Sequence, residues 1–316
     1  MKIISDFLIE SLQLRPKDWV DWVRESFCMK YEAQLPPKIS LHPQGDDFFN
    51  TMPCLLPEQY HRFGVKVVHR VKGAQPSLGG TILLYDSAKG ECLAQLGSDY
   101  ITTMRTGAVA ALAAQNFVNP KQTLTVGLLG MGNTARATFL CMTDAQPKQS
   151  FHFLLLRYKD QAEDFIRRFE NTPNVTFTIL ESAEDIISQS DVVISCVTAA
   201  DALFCPDDKK FPEGIVVIPV HTRGFQNCDL FFDRVYADDR GHVQGFKYFD
   251  RFRNFCEFSR VLQGEDSGRR HASERILCYN IGIALHDILA AHKIYSMLED
   301  KAPEISIEHY TKKFWV

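Results

Sequence analysis

The segment Val126-Gly-Leu-Leu-Gly130-Met-Gly132-Asn133-Thr134-Ala135 is where residue type and spacing most clearly imply chemistry. An apolar run, Leu124–Leu129, leads directly into Gly-x-Gly-x-x-Ala and then into a helical pattern. Gly130 permits the tight turn, and Gly132 lets backbone N–H groups, those of Asn133 and Thr134 among them, approach a pyrophosphate. Ala135 keeps the helix close to the strand. The helix N-terminus adds about half a positive charge. A plain βα turn can be spelled the same way, but the strand before, the helix after and the further βα units argue for a bound dinucleotide. In NAD-binding loops an acid about 20 residues on holds the ribose 2′-OH. Here the second strand ends Leu154-Leu-Leu-Arg157-Tyr-Lys159, with no carboxylate before Asp160. Arg157 and Lys159 would attract a 2′-phosphate, which favours NADP over NAD; solvated strand-end charges are the plain alternative.

The elements that must position this loop show as changes of period. Residues 1 to about 38 hold a helix around Trp19, Trp22, Val23 and Phe27, closed by Pro36-Pro37. From Ile39 to about Leu96 the pattern is strand-like, with Val65, Val67, His69 and Val71 alternating and a turn at Ala88-Lys89-Gly90. Ser98 is placed to cap an Ala-rich helix that runs to about Phe117 and ends at Asn119-Pro120. After Pro120, strands at Leu124–Leu129, Phe151–Leu156, Val175–Leu180, Val192–Cys196 and Ile215–Val220 alternate with helices. That alternation means right-handed βαβ units and a doubly wound parallel sheet. Phe249, Phe252, Phe255 and Phe258 recur every third residue and predict a core-facing helix rather than a base-stacking surface. A last helix is expected over Ser273–Leu298, with Ile281, Ala284, Leu285, Ile288 and Ala291 on one face.

Further motifs, in one order along nearly the whole chain, resemble the ornithine cyclodeaminase/mu-crystallin family. Thr102-Thr-Met-Arg105-Thr-Gly-Ala is similar to its "T-x-x-R-T-A-A" helix, and Met52-Pro53 followed by Gly64-Val-Lys66 to its "M-P … K" element. Gly264-Glu-Asp-Ser-Gly-Arg269 and Ile281-Gly282-Ile-Ala-Leu-His-Asp287 are similar to "G-x-x-x-G-R" and "V-G-x-A-x-x-D". The resemblance implies a Rossmann domain over residues 119–284 and an α+β substrate-binding and dimerisation domain over 1–118 with 285–316. It also implies a homodimer, a nicotinamide cofactor touching Thr198 and Gly282, and catalysis between the domains. The shared chemistry is hydride transfer at a carbon bearing both nitrogen and a carboxylate. Arg105 matches the family's carboxylate-binding arginine, Lys66 its active-site lysine, and Lys38 a residue that helps bind the same group. A cationic clamp of this kind orients the substrate, and Lys66 could donate a proton if neighbouring cations lowered its pKa. A surface charge is the plain alternative for each; for Lys66 a mid-strand position among valines weakens it.

Departures from the family pattern are informative. Cyclodeaminases carry an acid after the fifth strand, in a segment like "N-A-V-G-G-D-x-P-G-x-x-E-L". This chain reads Val220-His221-Thr-Arg223-Gly-Phe-Gln-Asn-Cys-Asp229-Leu, which puts Arg223 at the acid's position. An arginine cannot accept a proton near pH 7. Asn50 likewise replaces a glutamate two residues before Met-Pro, and the usual "G-E" element near residue 250 is missing. These changes argue against ornithine, whose distal ammonium would face Arg223. They favour a dianionic substrate whose second anionic group pairs with Arg223, with His221 as replacement acid or base. The alternatives are an Arg223 ion pair with Asp229 or an aspartate near residue 240, and a merely packed His221.

Composition bounds the remaining possibilities. Thirty-five Lys+Arg against 39 Asp+Glu give a net charge of -4, which offers no polycationic face to nucleic acid. No apolar run approaches a membrane span, and Asp6 and Glu10 interrupt the N-terminal apolar stretch that a signal peptide would need. Nine cysteines without a Cys-x-x-Cys pair suggest reduced thiols and a cytoplasmic protein, and no metal-ligand spacing is visible. The leading expectation is an NAD(P)-dependent oxidoreductase acting on a small α-imino or α-amino acid. A cyclodeaminase-type lyase that recycles its NAD, and a non-catalytic protein that binds dinucleotide and a small carboxylate, are the alternatives.

Overall fold

The computed structural model describes residues 1–198 and 200–315. In chain order its first elements are β1 (Lys2–Ile4), α1 (Asp6–Glu10), α2 (Pro16–Cys28), β2 (Ile39–Leu41), β3 (Phe48–Leu55), β4 (Arg62–Arg70), β5 (Leu78–Asp86), β6 (Cys92–Gly97) and α3 (Asp99–Phe117). There follow β7 (Thr123–Leu129), α4 (Asn133–Ala145), β8 (Ser150–Leu156), α5 (Gln161–Phe169), β9 (Val175–Leu180), α6 (Ala183–Gln189), β10 (Val192–Ser195) and β11 (Val216–Pro219). The last are α7 (Cys228–Phe231), β12 (Arg234–Ala237), α8 (Arg240–Val243), β13 (Cys256–Glu257), α9 (Phe258–Leu262), β14 (Ile276–Tyr279) and α10 (Ala284–Leu298). The chain divides into two compact units, one of residues Met1–Gln13, Tyr31–Thr102 and Ala284 onward, the other of Leu14–Lys30 and Thr103–Ile283. The helix α2 and most of α3 thus go with the second unit, where a boundary near residue 118 was expected. The reason is packing: Phe27 meets Phe258 edge-on, and Asp144 of α4 accepts from the Lys17 N–H.

The first unit is built on a six-stranded sheet in the order β1-β6-β5-β4-β3-β2, antiparallel except for β1 against β6. Alternation along the strands puts Met52, Cys54, Lys66, Val68, Ile82 and Leu84 on one buried face. α10 covers that face closely, since a Cβ at Gly64 would lie 2.5 Å from Ile288 Cδ1. Phe49 and Val67 point to the opposite face and stay partly exposed. The expected start of α3 after Ser98 is found, but the cap differs. Among the described residues the Ser98 hydroxyl has no hydrogen-bond partner, and the Asp6 carboxylate of α1 accepts from the Tyr100 N–H instead, at 2.8 Å.

The second unit holds an eight-stranded, wholly parallel sheet in the order β13-β12-β14-β11-β10-β7-β8-β9. This is the doubly wound arrangement that the βα alternation predicts, and the order reverses between β7 and β10. Two expected helices need correction. The last one begins at Ala284, not Ser273, because Ile276–Tyr279 is a strand paired on one side with β11 and on the other with β12. A strand buried on both faces reads as an unbroken apolar run, which periodicity cannot separate from a helix. The phenylalanine stretch is not a helix either. It is a 3₁₀ turn at Phe249–Arg251, an extended link and then α9, with Asn254 in the left-handed region at φ 47°. The rings still face inward, because Phe249, Phe252 and Phe255 pack on the core cluster around Tyr279 and Phe232. Among the described residues, no helix is long and apolar enough to cross a membrane.

Candidate functional site

Most of the candidate residues of the second unit stand at the carboxyl ends of five adjacent strands. Arg157 and Lys159 follow β8, Gly130 to Ala135 follow β7, Thr198 follows β10, His221 and Arg223 follow β11, and Gly282 follows β14. In open α/β sheets ligands bind outside this edge, at the point where strand order reverses. Gly130 is required there: its φ is +84°, and an added Cβ would sit 3.1 Å from the Cys196 backbone. Gly132 is different, since nothing lies within 4 Å of the position a Cβ would take. It is the N-cap of α4 and has no side-chain cap, so the first N–H groups of a four-turn helix face an open cradle. Ala135 is fully buried, as close helix–strand packing demands. These features fit a pyrophosphate. Sequence reasoning placed Arg157 to meet a 2′-phosphate, but its Nη1 pairs with Glu163 and its Nε donates to Glu181 at 2.5 Å. That arginine is already neutralised.

Arg105 also belongs to the second unit. Gly107 lets α3 lie against α4, for a Cβ there would be 2.5 Å from the Ala137 and Thr138 backbone. Arg105 is 6% exposed, and Gly282 borders its guanidinium: with φ +87°, an added Cβ would fall 2.6 Å from Nη1. The Gly282 N–H in turn donates to the Asp238 carboxylate. The arginine is therefore held in a slot shaped by backbone, the condition for a directional carboxylate fork.

His221 is hydrogen-bonded through both ring nitrogens. Its Nδ1 accepts from the Arg223 N–H at 3.3 Å, so Nε2 carries the proton and donates to Ser195 Oγ at 2.6 Å. Burial lowers its pKa to about 4, leaving a neutral imidazole near pH 7. Arg223 is exposed and makes no ion pair among the described residues. The expected alternative partner, Asp229, is buried and accepts from the Tyr279 hydroxyl at 2.7 Å, and burial raises its pKa to about 7. Arg223 is left as a free cation at the strand edge.

In the first unit, Lys66 is fully buried in the middle of β4, and its ammonium donates to Asp287 Oδ1 at 2.8 Å. Asp287, equally buried on α10, is the functional partner that sequence reasoning did not assign. The signal was present in the "V-G-x-A-x-x-D" segment, but nothing local connects residue 287 with residue 66. One charged partner of Lys66 is thus a carboxylate. Burial and the same carboxylate push the Cys54 thiol up to about 12. Asn50, on the same face, keeps its Oδ1 buried without a hydrogen-bond partner. Lys38 lies just before β2, with β3 between that strand and β4.

Comparison with known proteins agrees with this architecture. A profile of the ornithine cyclodeaminase/mu-crystallin family matches residues 7–215. The nodulation efficiency protein NfeD of Rhizobium meliloti is 27% identical over 277 residues, 84% of each chain. The N-((2S)-2-amino-2-carboxyethyl)-L-glutamate dehydrogenase of Staphylococcus aureus is 24% identical over 237 residues, covering 70% of this chain and 69% of its own. The structure of Thermococcus litoralis Delta(1)-pyrroline-2-carboxylate reductase in complex with NADH and L-proline superposes with a TM-score of 0.83 at 20% identity. It covers 96% of this chain and 100% of that one. The chain belongs to the ornithine cyclodeaminase/mu-crystallin family.

Proposed function

We propose that this protein is an NAD(P)-dependent oxidoreductase that transfers a hydride at the C–N centre of a small α-imino or α-amino acid. The observation that carries the reading is the open cradle at Gly132, where an uncapped helix faces the reversal point of a parallel sheet. Gly130, Gly132, Asn133, Thr134 and Ala135 would hold the pyrophosphate, with Thr198 and Gly282 on the same strand edge. When bound, the nicotinamide supplies or accepts the hydride. Arg105 grips the substrate carboxylate through its fork and fixes which face of the reacting carbon is presented. Lys66 serves as an ammonium held in place by Asp287. Arg223 binds a second anionic group, which makes a dianion the favoured substrate. The relative named as a dehydrogenase of an amino-carboxyethyl glutamate, a compound with more than one carboxylate, is consistent with that.

His221 orders the backbone that presents Arg223. The protein works as a homodimer through the first unit, whose outer sheet face leaves Ile39, Leu41, Phe49 and Val67 exposed. Nine free cysteines suit a cytoplasmic setting. The test is absorbance at 340 nm with NADH and NADPH against cyclic imines, imino diacids and ornithine. Stoichiometric oxidation with an imino acid, strongest for a dianion and weakened by Arg223→Gln, is expected. Ornithine turnover without net redox would identify a lyase, and nucleotide binding without turnover across the panel would identify a binding protein; either refutes the proposal.

A further inference from the structure

We propose that Glu163 and Glu181, by occupying Arg157, make the second unit select NADH over NADPH; the inference rests on the dinucleotide reading above. Arg157 directly follows β8, the strand beside β7, and its N–H donates to Leu180 O at the end of β9. Its place is therefore the strand end where the ribose of a dinucleotide is read. By residue type alone it invites a phosphate. The geometry reverses that expectation. Glu163 on α5 takes Nη1, and Glu181, just past β9, takes Nε at 2.5 Å, so two donor positions of the guanidinium are already engaged. One cation between two carboxylates leaves a net negative cluster. The other cation of the turn, Lys159, sits at φ +51° with its ammonium 5.6 Å from the Tyr158 ring centroid.

A 2′-phosphate arriving here would place a dianion beside the two carboxylates that already flank Arg157. A ribose hydroxyl has no such conflict, because it can donate to a carboxylate oxygen. Glu181 offers one: its side chain is 74% exposed beside Arg157. The arginine then orients the acids that read the hydroxyl, and does not itself read a phosphate.

The test is titration of the full-length chain with NADH and with NADPH, followed by nicotinamide fluorescence, for wild type and for Glu163→Gln, Glu181→Gln and the double variant. Wild type should bind NADH at least about tenfold more tightly than NADPH. Each Glu→Gln change should move that ratio about tenfold toward NADPH, the effect of removing one nearby unit charge. Adding Arg157→Gln to the double variant should abolish the gain. A wild-type preference for NADPH, or ratios that the Glu→Gln changes leave untouched, would overturn the selector. Failure of both nucleotides to bind would instead overturn the dinucleotide reading, and the selector with it.

Discussion

Removing Asp287 from beside Lys66 should destabilise the first unit far more than removing both charges together. The ammonium and carboxylate are 2.8 Å apart, and both side chains are 0% exposed, so water can neither screen the pair nor solvate a survivor. Asp287→Leu removes the carboxylate bonded to a buried ammonium, and breaking a buried pair by removing one partner costs about 3–5 kcal/mol. The double variant Lys66→Met, Asp287→Leu replaces the pair with apolar side chains of similar length, a change that is often near neutral. At roughly 2–4 °C per kcal/mol for a unit of this size, the single change should lower Tm by about 6–20 °C. The double variant should recover most of that loss while showing no turnover. Thermal melts of the wild type, both single variants and the double variant give the coupling energy directly. A double variant as unstable as Asp287→Leu, or a single variant within about 1 kcal/mol of wild type, would refute the claim that this is a buried, mutually dependent pair.

Other outcomes follow from the same geometry. Gly132→Ala should leave Tm unchanged, because a Cβ there meets nothing within 4 Å, yet weaken dinucleotide binding about tenfold or more by filling the cradle. Gly130→Ala should cost stability itself, on the order of 1–3 kcal/mol, from a forced φ of +84° and the nearby Cys196 backbone; unfolding by urea separates the two glycines. Gly282→Ala should raise KM for the carboxylate substrate by displacing the Arg105 guanidinium, and an unchanged KM would show that the slot is not needed. His221, neutral in the fold with a pKa of about 4, binds fewer protons than the unfolded chain between about pH 4 and 6.5. Its contribution to stability is therefore complete above pH 6.5 and falls as pH drops toward 4. Asp229, raised to about 7, acts in the opposite sense, and its contribution falls as pH rises from about 4 through 7. Urea melts across pH for His221→Asn and Asp229→Asn, each against wild type, should show these two slopes with opposite sign.

The legible parts of the molecule are those governed by short-range rules. A glycine loop between an apolar strand and a helix specifies its own geometry, and the structure places Gly130, Gly132 and Ala135 as the spacing demands. The parallel sheet follows from strand and helix alternation in the same way. What was not legible depends on partners distant in the chain. Ile276–Tyr279 takes its strand identity from β11 and β12 on either side, not from its own pattern. Arg157 changes meaning because Glu181, 24 residues later, folds back beside it. His221 has its pKa lowered by burial, and its hydrogen-bond partner Ser195 lies 26 residues earlier in the chain. In each case the residue type was read correctly and its neighbour was missing.

That division explains how chemistry could be altered here without altering the fold. The strands β10, β11 and β14 are buried along their whole lengths, so their residues answer to packing. The positions just beyond them answer to solvent and ligand. Arg223 is exposed, and neither the apolar core nor any ion pair among the described residues requires a guanidinium there. An acid and an arginine are therefore interchangeable at that point as far as stability is concerned, with surface substitutions worth only about ±0.5 kcal/mol. On the reading proposed above they would not be interchangeable for a substrate, because the same exchange reverses the charge that would meet its distal group. On the reading proposed above, recognition of a second anionic group is what an arginine at that point supplies.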